Sequence, residues 1–354
     1  MWYNMSEGGT HTQCGRMPYD QWLIMKIGKL PESVLKRCVL KKVNSVRPEV
    51  ILGAAIGEDC GAVKLEEGEV MVMSTDPITG TVKDVGTLAV KITANDIACS
   101  GAEIIGIMVT ILLPDKTLEE ELEEIMSDIY DACHALNIQV IGGHTEVTKV
   151  VNSPLVSVTG VGKVQENKLL KASRIEPGMD IVMTKAIALE GTSIMAKEKE
   201  EELLSHFPKT MIDKAKSFDD EILIVKEAEL TRDLAVSFHD VTEGGIFGAL
   251  WEIAEASGVG LDISLKKINI RQETVEICEY FGVNPYKLIS SGCLLIAGSD
   301  GDEIVDTLIA NGIEAVKIGK ATDSNDRRLL NGEEVRFLET PQKDELYKVI
   351  GGRD

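Results

Sequence analysis

The 354-residue sequence has no apolar run longer than Ile104 to Leu113, which falls well short of the ~20 residues needed to cross a bilayer. It has no basic cluster either. Lysine and arginine number 37 against 58 aspartates and glutamates, a formal charge of −21. A field of that sign repels nucleic-acid backbones and anionic headgroups, so neither nucleic acid nor a membrane is expected as partner, and any phosphate chemistry is expected to run through cations. No CxxC is present. The seven cysteines, Cys14, Cys38, Cys60, Cys99, Cys133, Cys278 and Cys293, are odd in number and scattered, which reads as reduced thiols in the cytoplasm rather than a disulfide frame or zinc site. The standard nucleotide and hydrolase signatures are missing as well. Gly28-Lys29, Gly162-Lys163 and Gly319-Lys320 are followed by Leu, Val and Ala, so there is no P-loop, and GxGxxG, HExxH and GxSxG do not occur.

What is present is enough apolar material for about two domains: 44% of the residues are hydrophobic, which excludes a disordered acidic chain. The first 24 residues, polar and Gly-rich, read as a disordered leader before a folded chain that opens near Met25. From Val50 onward, short apolar runs alternate with Gly- and Asp-rich turns. Strands are expected at Ile51–Ile56, Val70–Met73, Ile104–Leu113 and Leu155–Val161. An Ala-rich helix is expected near Gly86–Ser100, and a second after Pro114 with Thr117 as its N-cap and an acidic, solvated outer face. The stretch from Lys168 to Gly178 ends in a Pro-Gly turn and is taken as the boundary between an N-terminal domain at 25–165 and a C-terminal domain at 170–340.

The residues able to carry chemistry are acids at the ends of apolar segments, each beside small or Gly residues. Asp59 lies in Gly57-Glu58-Asp59-Cys60-Gly61; Asp76 lies in Ser74-Thr75-Asp76-Pro77, which ends the next strand; Asp96 sits inside the Ala-rich helix; Glu146 follows Gly142-Gly143-His144-Thr145. Asp96 shares a helical stripe with Ala89, Ile92 and Cys99, so it is expected on the face that packs against the sheet. A buried carboxylate costs several kcal/mol without a partner. The choice is between an Arg or Lys and a shared hard cation such as Mg²⁺; the scarcity of nearby basic residues favours the cation. Asp240, before Gly244-Gly245, fits a helix N-cap on its residue type alone. Ser290-Ser291-Gly292, before the last core strand, is open between lining a substrate site and an ordinary turn, with the turn favoured; His239 is equally able to be a satisfied core histidine, and His206 carries no motif.

Together these blocks resemble the ATP-binding superfamily that includes aminoimidazole ribonucleotide (AIR) synthetase, thiamine-monophosphate kinase, selenophosphate synthetase and the hydrogenase-maturation dehydratase HypE. The resemblance runs from about Met25 to Asp323 and rests on Ile56–Val63, Ser74-Thr75-Asp76, Asn95–Ala98 with Ser100–Ala102, Gly142–Glu146, Gly160-Val161-Gly162 and Asp240–Gly245. It implies an α+β, two-domain PurM-like fold whose N-terminal sheet forms a homodimer. It further implies ATP and Mg²⁺ as cofactors, with Asp59, Asp76, Asp96 and Glu146 as metal ligands. Asp96, His144 and Asp240 would be catalytic, and Thr75, Gly142, Gly143, Thr145, Gly244 and Gly245 would be nucleotide contacts, Thr75 beside the metal ligands. The motif order most resembles the dehydratase and its paralogues, which points to ATP-dependent phosphorylation or activation of an oxygen on a small-molecule or carbamoyl, amide-type substrate. That dehydratase acts on a cysteine at its own C-terminus. This sequence ends Gly351-Gly352-Arg353-Asp354, so a separate substrate is expected, and any maturation partner is unassigned. A nucleotide-binding scaffold of the same fold without turnover, and a small-molecule kinase like thiamine-monophosphate kinase, stay open as alternatives.

Overall fold

The computed structural model describes residues 25–43, 45–56, 60–78 and 84–350. The expected leader at 1–24 and the acid at Asp59 lie outside them. The fold is mixed α and β, built on two main sheets. The N-terminal sheet has five strands in the order Gly28–Lys29, Gln139–Thr148, Glu103–Pro114, Leu155–Gln165 and Glu69–Ile78. Its one parallel pair, Glu103–Pro114 with Gln139–Thr148, is joined by the crossover helix Glu119–Ala135.

That helix and the Ala-rich helix Val85–Cys99 cover one face of the sheet, where Ile107, Val109, Ile111, Leu113, Val156 and Val158 meet Leu122, Met126 and Ile129. The opposite face is largely open, and Met71, Met73 and Met108 are exposed on it. The crossover helix starts at Glu119, and Thr117 does not cap it as the sequence suggested. The Thr117 hydroxyl instead donates to the Pro114 carbonyl, and the free Leu118 amide is taken by the Glu121 carboxylate at 2.7 Å.

The C-terminal sheet has seven strands in the order Glu334–Phe337, Arg327–Asn331, Gly260–Ser264, Ala315–Thr322, Asp180–Thr184, Leu294–Gly298 and Ala235–Asp240. The central strands Asp180–Thr184 and Leu294–Gly298 are buried along their whole length, because helices pack on both faces. On one side a large core includes Ile181, Met183, Leu250, Ile277 and Leu295. On the other a smaller one, with Val182, Phe238, Ile296 and Leu308, includes Ala98 of the Ala-rich helix and so spans both halves.

Asn95 fixes that junction. Fully buried, its amide nitrogen donates to the Ile222 carbonyl at 2.9 Å and its oxygen accepts from the Ile224 amide at 3.0 Å. Both halves of the side-chain amide are thus satisfied across the domain boundary.

A second clamp anchors the small hairpin Val50–Leu52/Ala62–Val63 to the N-terminal sheet. Arg47 grips Glu49 through two nitrogens at 3.0 and 3.1 Å, and Lys163 reaches the same carboxylate at 2.9 Å. These donors, Arg47 first, hold the Glu49 carboxyl down at about 2 against the opposing effect of burial. A carboxylate with a depressed value stabilises the fold above its unfolded value near 4.5 and loses that contribution as pH falls through its folded value. Glu49→Gln should therefore cost about 2 kcal/mol at pH 7, with the gap to wild type closing between pH 4.5 and 2 in denaturant titrations.

Candidate active site between the two halves

Asp96 meets the sheet as its stripe predicted, but at the edge strand Glu69–Ile78 rather than at its centre. Gly160 of strand Leu155–Gln165 approaches the Ala-rich helix at Thr93 and Ile97, so these are the residues that face that inner strand. The stripe carrying Ile92, Asp96 and Cys99 is turned toward the edge strand and the C-terminal half. The Ser74 hydroxyl of the edge strand donates to Asp96, and Asp76, two residues along on the same strand face, shares a hydrogen bond with it. Burial is the main reason the Asp96 carboxyl is pushed up to about 8; the bond with Asp76 and the charge of Asp240 add to it. Asp240 enters from the end of strand Ala235–Asp240. Its Oδ1 accepts from the Cys99 thiol at 3.7 Å, while its buried Oδ2 has no partner among the described residues. Burial likewise raises the Asp240 carboxyl. It does not act as a helix N-cap: Gly244, in the left-handed region, takes that position before helix Gly245–Ser257.

Among the described residues, Asp76, Asp96 and Asp240 form no ion pair with lysine or arginine. Such an arrangement is self-repelling, which is the electrostatic condition that invites a cation. No three His, Cys, Asp or Glu side chains among the described residues complete a metal cage. Mg²⁺ is commonly held by only one or two carboxylates together with substrate phosphates, so the Asp76–Asp96 pair with its hard oxygen donors suits it.

In front of the pair lies an interdomain cleft of about 490 Å³, lined by Asp76, Asp96, Glu190, Glu243, Ser291 and Asp344 with Ile92, Ile289, Leu346 and Ile350 as its apolar wall. The segment after Leu338 folds back to form part of that wall. Asp344 accepts from the Gly244 amide at 2.7 Å, and the Tyr347 hydroxyl donates to Glu243 at 2.6 Å. Gly245 has φ +61°, and a Cβ there would lie 2.7 Å from the Tyr286 carbonyl oxygen, so this glycine answers a packing demand.

The remaining predicted residues lie elsewhere. Thr75 is adjacent to Asp76 in sequence but, by strand alternation, points to the open face, where it meets the Thr159 hydroxyl at 2.9 Å. The expectation that it sits beside the carboxylates does not hold. Gly142, Gly143, His144 and Thr145 line a second cavity of about 510 Å³ with Lys29, Ala54 and Ile56, the last at the start of the segment that carries Asp59. His144 faces outward and lies 3.3 Å from Glu146, which therefore does not join Asp76 and Asp96 within the cleft. A Cβ on Gly143 would fall 2.1 Å from the Val109 carbonyl oxygen, so the glycine is required by the strand pairing itself.

Two family models match the chain: the AIR synthase related protein N-terminal domain at residues 57–164, and the AIR synthase related protein C-terminal domain at 176–330. The chain belongs to the AIR synthase related family. Within it, the carbamoyl dehydratase HypE of Rhizobium leguminosarum bv. viciae is 27% identical over 283 residues, covering 74% of this chain and 76% of that protein. The selenide, water dikinase of Methanococcus maripaludis is 27% identical over 338 residues, covering 88% and 97%. The structure of the hydrogenase maturation protein HypE in complex with ATP superposes with a TM-score of 0.76 at 17% identity, over 92% of this chain and 99% of that one. The AIR synthase related fold thus holds for both halves. Glu190, Ser291 and the segment carrying Asp344 and Tyr347 were not picked out as site residues from the sequence. A carboxylate beside the small residues Gly191-Thr192-Ser193, at Glu190, was the one available signal.

Removing one of the clustered charges should stabilise the ligand-free protein. Asp96→Asn, which keeps the shape and can still bond to Ser74, should raise stability by about 1 kcal/mol or more at pH 8, seen as a higher melting temperature in scanning calorimetry.

Proposed function

We propose that this chain is an ATP-utilising, Mg²⁺-dependent enzyme that phosphorylates or otherwise activates an oxygen of a small-molecule, carbamoyl or amide-type substrate, in the manner suggested by its HypE-like relatives. The observation that carries the reading is that Asp76 and Asp96 of one half line an interdomain cleft, with buried Asp240 of the other half adding its charge beside them, all without basic partners among the described residues. Asp76 and Asp96, joined by Asp59, would hold the metal, which when bound supplies the positive charge that offsets the transferring phosphoryl group.

The rest of the work falls to this chain's own groups. Ser74 fixes the Asp96 carboxylate, Cys99 fixes Asp240, and the wall of Ile92, Ile289, Leu346 and Ile350 keeps bulk water from the reacting oxygen. Gly142, Gly143, Thr145 and His144 are assigned to the nucleotide through the second cavity, whose lining they share with Lys29. Gly244 and Gly245 lie at the start of the helix next to the cleft residues Thr242 and Glu243, though the Gly245 amide already donates to the Thr242 carbonyl at 3.0 Å and the Gly244 amide to Asp344.

The open face of the N-terminal sheet is assigned to a second copy of the chain. Met71, Met73 and Met108 present an apolar surface there, and a homodimer formed on it would bring Thr75, His144 and Glu146 to the interface rather than to the single-chain cleft. Met73→Glu should convert the protein to a monomer in light scattering coupled to gel filtration.

Turnover is tested by ADP release from ATP and Mg²⁺ across carbamoyl, amide and small alcohol substrates. A substrate-dependent rate that Asp96→Asn lowers at least a hundredfold, and that chelation of Mg²⁺ abolishes, supports the reading. ATP binding without ADP release for any substrate would instead favour a scaffold that keeps the fold.

A further inference from the structure

Glu190 is buried deeper than its charge warrants. It is the second residue of the helix Leu189–Glu198, and the N-cap of that helix, Ala188, is held at φ +59°, a conformation costly for a side chain. That turn is locked from outside the helix, since the Ala188 amide donates to Ser290 Oγ at 2.7 Å and Ser290 in turn donates to the Leu288 carbonyl at 2.7 Å. The strained turn drives Glu190 inward until only 5% of it is exposed. Its Oε2 has no hydrogen-bond partner among the described residues, and neither has the hydroxyl of fully buried Ser291. Both residues line the interdomain cleft.

The surroundings supply no compensating charge. None of the described residues lining the cleft is Lys, Arg or His. Asp240 and Asp344 add negative potential at Glu190, and Asp76, Asp96 and Glu243 line the same space. On the far side, Lys91 and Lys197 share a small cavity with Glu190 but are spent elsewhere: Lys197 pairs with Asp84 and Asp219, and Lys91 donates to the Asp219 carbonyl. Burial accordingly pushes the Glu190 carboxyl up to about 7, although the nearby Ser291 hydroxyl and amide work against that rise. A buried carboxylate with no basic partner and one oxygen unsatisfied among the described residues has room for a cationic partner that arrives from outside.

We infer that Glu190 and Ser291 recognise a cationic nitrogen of the substrate, an amidinium-type group whose N–H bonds are accepted by Glu190 Oε2 and Ser291 Oγ. This deepens the proposed function and rests on it, because it takes the cleft in front of Asp76 and Asp96 as the substrate site. A charge-assisted bond formed out of water discriminates strongly against a neutral or anionic group of the same shape. The apolar neighbours Ile194 and Ile289 favour a planar organic cation over a hydrated metal ion, which would need more oxygen ligands than this corner provides.

The test uses the full chain at pH 8 and three isosteres: acetamidinium, neutral acetamide and anionic acetate, each titrated by calorimetry, with ATP and Mg²⁺ binding measured separately. Acetamidinium should bind at least tenfold more tightly than either of the others. Glu190→Gln should erase that preference and Ser291→Ala should weaken acetamidinium by a few-fold, both with ATP and Mg²⁺ binding within twofold of wild type. Equal binding of acetamidinium and acetamide to the wild-type chain overturns the inference. So does an undiminished preference in a Glu190→Gln variant whose circular dichroism is native. The isostere comparison on the unaltered chain decides the matter even where that variant does not fold. Failure of the wild-type chain to bind ATP and Mg²⁺ would strike the proposed function instead and is read in its own titration.

Discussion

The side chain of Asn95 is the fixed point of the molecule. It bonds to the Ile222 carbonyl and the Ile224 amide of the opposite half, with no solvent access, and every other feature of the cleft is placed relative to that contact. Its immediate neighbour, Asp96, takes the next position around the helix and meets Ser74 and Asp76 of the edge strand, and one turn on Cys99 meets Asp240. One short stretch of helix thus docks the domains, presents a charge and touches the acid of the partner domain. Asparagine suits the docking position because it satisfies a donor and an acceptor at once, which neither aspartate nor leucine could do.

The acids gathered around that stretch are costly by themselves. Burial and mutual repulsion hold the Asp96, Asp240, Glu190 and Asp344 carboxyls above their ordinary range. A fold that tolerates this has other sources of stability, and they are visible: the doubly covered C-terminal sheet, the continuous core around Ile107 and Leu122, and ion clamps such as Arg47–Glu49–Lys163 placed away from the cleft. Among the described residues, Asp76, Asp96 and Asp240 stand outside such clamps.

Much of this was legible in the chain. The alternation of apolar runs and Gly-rich turns gives the strands, the Ala-rich helix is where its composition puts it, and the acidic blocks identify the family. The sequence was less informative about direction. Thr75 and Asp76 are neighbours, yet the period of two sends them to opposite faces. Asp96 was assigned to the sheet by its stripe and does meet its edge strand, but only tertiary packing reveals that the same side chain also borders the cleft shared with the other half. Gly143 and Gly245 resembled phosphate cradles, although backbone crowding alone demands them. Ser291 reads as an ordinary turn residue and is one, but the turn happens to be buried at the cleft. Long-range closure of this kind leaves no local signal.

Because Asp240 belongs to one half while Asp76 and Asp96 belong to the other, the spacing of these acids is also a measure of how the halves are oriented. Any swing about the Asn95 joint lengthens or shortens the distances over which they repel, and electrostatic energy becomes a restoring torque on the joint. A divalent ion held between them, as proposed, would reverse the sign of that torque. The same charges that make the empty crevice uncomfortable would then serve as the latch that draws it shut.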